Sequence, residues 1–220
     1  NDIRQLDFVS SDISYALVGN TFYKSINGGY KWSDLGPPIE NVKTQRFDFI
    51  NDTTGFAIVG GSTGTSGNSG SVYKTIDGGM TWNKTHSSYE ILNENLYCID
   101  FVNQDTGFVS GGYNFDAIFR TINGGVDWEK VASISCGQIQ FLNSMVGYAR
   151  NVGNYYNHIY KTIDGGATWT STFEIDEDIN CFHFIDEDHG YFVGDNSLMY
   201  KTIDGGDTWQ ELDIPYEYYE

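Results

Sequence analysis

The chain has 220 residues, 30 acidic and 12 basic side chains, a formal charge of −18 and 16% aromatic residues. A surface this acidic repels phosphate backbones and disfavours nucleic acid as a partner. No apolar run approaches the ~20 residues of a membrane-spanning helix, and three cysteines do not make a disulfide framework.

The first element is Leu6-Asp7-Phe8, an apolar–polar–apolar alternation that reads as a strand. A polar turn leads to Ser14-Tyr15, then to Tyr23-Lys24-Ser25-Ile26, to Asn27-Gly28-Gly29 and to Trp32. The same succession then returns four times. Its opening strands are Phe47-Asp48-Phe49, Ile99-Asp100-Phe101, Ile139-Gln140-Phe141 and Phe182-His183-Phe184. Its second strands begin at Gly55-Phe56, Gly107-Phe108, Gly147-Tyr148 and Gly190-Tyr191, and its closing tryptophans are Trp82, Trp128, Trp169 and Trp209. A period of about forty to fifty residues marks one supersecondary unit. Four short strands per period are expected, with a tight turn between the third and the fourth.

That turn has a physical logic. Asn or Asp accepts backbone N–H bonds, Gly-Gly takes positive φ without strain, and Trp opens the returning strand with a large apolar face and one donor. The phrase resembles the Asp-box, or bacterial neuraminidase repeat, Ser/Thr-x-Asp-x-Gly-x-Thr-Trp. Three copies match fully, through Thr75/Asp77/Gly79/Thr81/Trp82, Thr162/Asp164/Gly166/Thr168/Trp169 and Thr202/Asp204/Gly206/Thr208/Trp209. The other two depart in concert: Asn27 goes with Lys31 and Asn123 with Asp127, as expected if the two positions share a hydrogen-bond network. In families that carry the box it is a folding element away from any active site. That resemblance implies a structural role for Asn27, Asp77, Asn123, Asp164 and Asp204, and for Trp32, Trp82, Trp128, Trp169 and Trp209.

Both patterns together are similar to the photosystem II assembly and stability factor propellers, over essentially the whole chain. The expected fold is all-β: a five-bladed β-propeller of four-stranded antiparallel blades, with an Asp-box between strands three and four of each. Residues 1–220 form one domain in this reading, with blades at approximately 1–38, 39–88, 89–133, 134–174 and 175–220. Each blade needs neighbours for its two apolar faces, so a closed ring of five is expected. The rival is a part of a larger ring, since the related assembly factors have more blades.

In a propeller the boxes share one face with the one-to-two turns, and the two-to-three loops lie on the other. Those loops are short in blades one and five but long in the three between: 60–70, Gly111–Asp116 and Asn151–His158. Recognition commonly lives on loops carried by a rigid scaffold. Tyr113, Phe115, Arg150, Tyr155, Tyr156 and His158 are therefore the candidate partner-binding residues. Arg150 replaces the apolar residue of the other second strands, so it must reach the rim or pair with a carboxylate. The acidic runs Glu174–Asp178 and Asp186–Asp188 lack the spacing of a calcium loop and read as solvated turns.

No zinc spacing and no catalytic residues are found. A sialidase-like site needs three arginines around a substrate carboxylate together with a nucleophile pair, and only Arg4, Arg46, Arg120 and Arg150 are present. Pseudo-symmetry gathers Asp7, Asp48, Asp100, Gln140 and His183 about the axis. Three carboxylates there should raise one another's pKa. They are the weak metal candidates, with loosely bound calcium as the only cofactor suggested. The expected function is a non-catalytic, exported interaction module, secreted, periplasmic or cell-surface, serving as a protein scaffold or assembly factor. A glycan-binding module, stacking sugars on Tyr113, Phe115, Tyr155 and Tyr156, is the alternative. A sialidase-like or related glycoside hydrolase is the third reading.

Overall fold

A computed structural model describes residues 2–40, 42–60, 70–85, 96–111, 117–151 and 157–213. These residues form five four-stranded antiparallel sheets arranged as a β-propeller, with no helix among them. In each blade the strands lie side by side in chain order. The first strands, Ile3–Phe8, Thr44–Phe49, Leu96–Phe101, Cys136–Phe141 and Ile179–Phe184, run along the inside of the arc. The period-two alternation sends one set of side chains toward the preceding blade and the other toward the following one.

The repeated turn fastens each blade to itself. In blade two the Thr75 hydroxyl donates to Asp77 Oδ1 (2.8 Å) and accepts from Gly79 N (2.9 Å), while Asp77 Oδ1 also accepts from Thr81 N at 2.9 Å. Thr81 Oγ1 donates to the second Asp77 oxygen. In blade three Asn123 offers an amide instead, and donates Nδ2 to Asp127 Oδ2 at 2.9 Å. Asn with Asp and Asp with Thr are thus two ways of satisfying the same pair, which is why the positions change together. The first glycine of each copy takes positive φ and donates its N–H to the blade's own one-to-two turn, as Gly78 does to Thr53 O at 2.8 Å.

Blade-to-blade packing is built from one kit used four times. Aromatic rings stack with centroids 3.4 Å apart in Tyr15–Phe49, Phe56–Phe101, Phe108–Phe141 and Tyr148–Phe184. The phenylalanine lies over the glycine that opens its own second strand: a Cβ on Gly55 would come within 2.6 Å of the Phe49 ring. A tryptophan meets the same ring edge-on, as Trp82 meets Phe49 at 5.9 Å. A lysine covers the stack and reaches across: Lys24 Nζ sits 5.1 Å above Tyr15 and donates to Asp52 O at 2.8 Å.

Between blade five and blade one the kit is present but unassembled. Phe8, the counterpart of Phe49, Phe101, Phe141 and Phe184, is 71% exposed, whereas those four are 6% exposed or less. Ile3 and Leu6 beside it are exposed too. On the far side of the seam, Lys201 lies 5.7 Å over the Tyr191 ring, but among the described residues no ring stacks on Tyr191 and no carbonyl accepts from Lys201. The expected closing interface of a five-blade ring is therefore not formed among the described residues.

Candidate functional site

The inner strands create two polar layers about the axis. Asp7, Asp48, Asp100, Gln140 and His183 form the layer nearer the repeated turns; Gln5, Arg46, Cys98, Gln138 and Cys181 form the one nearer the two-to-three loops. Most of these side chains stitch one blade to the next. Asp7 Oδ2 accepts from Phe49 N (2.8 Å), Asp48 Oδ2 from Phe101 N (2.6 Å) and Asp100 Oδ2 from Phe141 N (2.7 Å). Gln140 accepts from Phe184 N and donates to Phe184 O at 2.9 and 2.8 Å. Gln5 and Gln138 make the same two-way bridge to Phe47 and Phe182.

The carboxylates in this layer are held away from their ordinary range. Burial raises Asp48 well above it, and the charges of Asp100 and Asp7 add to the shift. Burial likewise pushes Asp100 up to about 7, against the N–H of Phe141 and assisted by Asp7. Asp7 is raised by burial and restrained by its backbone bonds. Among the described residues no three carboxylate, thiol or imidazole groups gather in a way that could hold a metal ion. Each of the three aspartates instead gives one oxygen to a neighbouring inner strand.

At the loop end of the axis the sign of the charge changes. Arg4 donates to Gly19 O (3.1 Å) and Thr44 O (2.7 Å), and its pKa is lowered by burial and by the nearby Arg46 charge. Arg46 is exposed. Arg46 and Arg150 both act on the half-buried Cys98 thiol, which desolvation holds above its ordinary pKa. Arg150 also acts on Cys136, whose pKa burial raises further. Three of the chain's four arginines thus lie toward the loop end of the axis, Arg46 within electrostatic reach of Arg4 and, like Arg150, of Cys98. Arg150 Nε is buried without a hydrogen-bond partner, and Arg150 forms no ion pair with a described carboxylate. Of the two expectations for it, the rim or a carboxylate partner, no pairing with a carboxylate is found among the described residues.

The remaining candidates separate. His158 lies on the opposite face of its sheet from Arg150, against Tyr160, with Nδ1 3.0 Å from Ser171 Oγ and 3.8 Å from Glu174 Oε2. It belongs to the outer strands of blade four, and the fold does not bring it to Arg150. Tyr113, Phe115, Tyr155 and Tyr156 lie outside the described residues. Arg120, in the position of the cross-blade lysine, donates to Gly165 O (3.2 Å) and pairs with Glu129. All three cysteines are free thiols. The repeat pattern and the loop lengths do not single out Arg4 and Arg46; their signal is the clustering of scarce basic residues on the first two inner strands.

No family model matches this chain, and no curated protein matches it. Solved structures do. A structure of YCF48 bound to D1 peptide is 14% identical, with 95% of this chain covering 80% of that one at a TM-score of 0.52. YCF48 from Cyanidioschyzon merolae is 16% identical, over 95% of this chain and 84% of that one, at 0.54. An ancestral GH74 enzyme is 17% identical and has a TM-score of 0.66 over 96% of this chain, but this chain spans only 31% of its length. At such identities the likeness is one of fold, and the fold is shared by a peptide-bound protein and by a GH74 enzyme alike.

Proposed function

We propose that this protein is a non-catalytic, exported interaction module that holds a segment of a protein partner at the loop end of the axis. The arginine placement carries the reading: in a chain of charge −18, Arg4, Arg46 and Arg150 lie toward the loop end of the axis, and Arg150 Nε is buried without a partner. A guanidinium is best satisfied by a carboxylate, which it binds in a planar fork. The acidic surface does not prevent this, because charges more than a Debye length away, about 8 Å in physiological salt, are largely screened. The partner's anchor is thus a carboxylate, either a free C-terminus or an Asp or Glu side chain. The peptide bound in the YCF48 structure supports a peptide ligand on this fold.

The test is an array of peptides, each made as the free acid and as the C-terminal amide and each with and without internal acidic residues, probed beside a glycan array. Binding that requires a carboxylate and falls at least tenfold in both Arg46→Ala and Arg150→Ala is expected. Binding to glycans alone, or to peptides irrespective of their carboxylates, overturns the reading.

A further inference from the structure

We propose that the seam between blade five and blade one binds a second copy of this chain, head to tail. Two observations meet here. The leading face of blade one exposes Ile3, Leu6 and Phe8, at 64%, 46% and 71%. The equivalent residues of blade two, Thr44, Phe47 and Phe49, are 0%, 1% and 5% exposed. The trailing face of blade five exposes Val193 at 39%, where Leu17 and Ile58 are wholly buried. Both surfaces are therefore halves of an interface that the molecule builds four times elsewhere.

The occupant is specified by what each half lacks. Blade one offers an aromatic ring, Phe8, and the carbonyls of its first turn, with no lysine reaching across to them. Blade five offers the aromatic Tyr191 under Lys201, and His183 in the layer whose other members each bond the next inner strand. His183 is exposed and makes no such bond among the described residues. Each face displays the groups the other is missing, so blade one of a second molecule is the surface blade five is made to receive. The same join repeated is a heterologous one, and it extends into a larger ring or a filament unless both ends are consumed. The new join will not copy the other four atom for atom. Ser14 stands where the others have glycine, so the seat beneath Phe8 is filled and its ring stands out toward the seam.

Heterologous joining gives a sharp test, because Phe8→Asp blocks only the leading face and Val193→Asp only the trailing face. Sedimentation velocity over a concentration series should show the unaltered chain growing beyond a dimer, and each variant alone remaining a monomer. An equimolar mixture of the two variants should give a dimer that grows no further. Both substitutions lie at exposed positions, and unchanged circular dichroism and melting check that each variant is folded. As an independent reading, alkylation of the exposed Cys181 thiol, on the same trailing face as Val193, should slow as the unaltered chain is concentrated. An unaltered chain that stays monomeric throughout, or a variant that assembles alone as readily as the parent, overturns the proposal.

Discussion

The interface between blades two and three and the seam before blade one are made from corresponding repeat positions and differ in two respects: among the described residues only the first has a neighbour, and Ser14 takes the place of the glycine that seats the inner-strand phenylalanine elsewhere. Phe101 is 5% exposed, stacked on Phe56 and met edge-on by Trp128, while Phe8 at the same repeat position is 71% exposed. Asp48 holds Phe101 N, while His183 at its repeat position holds no backbone N–H among the described residues. A repeated pattern thus acquires much of its energetic weight from the adjoining blade, as expected for a structure in which each repeat is stabilised by its nearest neighbours.

The largest test of this contrast is a pair of truncations. Phe101→Ala removes a stacked, buried ring and should cost about 3–5 kcal/mol in denaturant unfolding. Phe8→Ala, studied at a concentration where the chain is monomeric, should change stability by no more than ~0.5 kcal/mol. Equal losses would mean that the seam is already closed in solution.

A smaller contrast lies in the polar layer. Gln140→Ala leaves Phe184 N and Phe184 O without the partners they have at 2.9 and 2.8 Å, and should cost about 1–3 kcal/mol. His183→Ala should leave the melting temperature where it is. A destabilised His183→Ala variant would reveal a contact across the seam.

The finest test is the dependence on pH. Asp100, half-buried and bonded to Phe141 N across a built interface, has its pKa raised to about 7 from 3.8, so between those values the folded chain holds a proton that the unfolded chain has released. Its contribution to stability is whole below about pH 4 and is lost as pH rises through about 7. The repeated-turn carboxylates Asp164 and Asp204 act in the opposite sense. Hydrogen bonds from Thr168 and Thr208 lower each to about 2, so their contribution is present above the ordinary Asp range and is lost as pH falls toward 2. Asp100→Asn keeps an acceptor for Phe141 N and should flatten the decline between pH 4 and 7 without altering the acid limb. An unchanged decline would place the responsible proton elsewhere.

What could be read in the sequence was whatever repeats. Five phrases of Thr or Ser, Ile, Asn or Asp, Gly-Gly and Trp carry their own hydrogen-bond partners within a few residues, so they specified the turn, the four strands and the propeller arrangement without any knowledge of neighbours. The alternation in Phe47-Asp48-Phe49 likewise put a polar residue at the axis. It did not say that Asp48 would reach Phe101 N in the next blade, because that bond spans 53 residues and depends on how two sheets dock. The candidate site was only partly legible. Arg150 stood out as a charge in an apolar position, but its convergence with Arg4 and Arg46 requires first strands from two blades and a second strand from a third to meet at one end of an axis. His158 shows the converse: next to the long loop in sequence, it faces the other side of its sheet. The closing interface expected from sequence is not formed among the described residues, for the same reason. Each blade's demand for two neighbours is local and visible, whereas whether the fifth blade can meet the first depends on the angle accumulated over every blade-to-blade step, and only the tertiary structure fixes that sum.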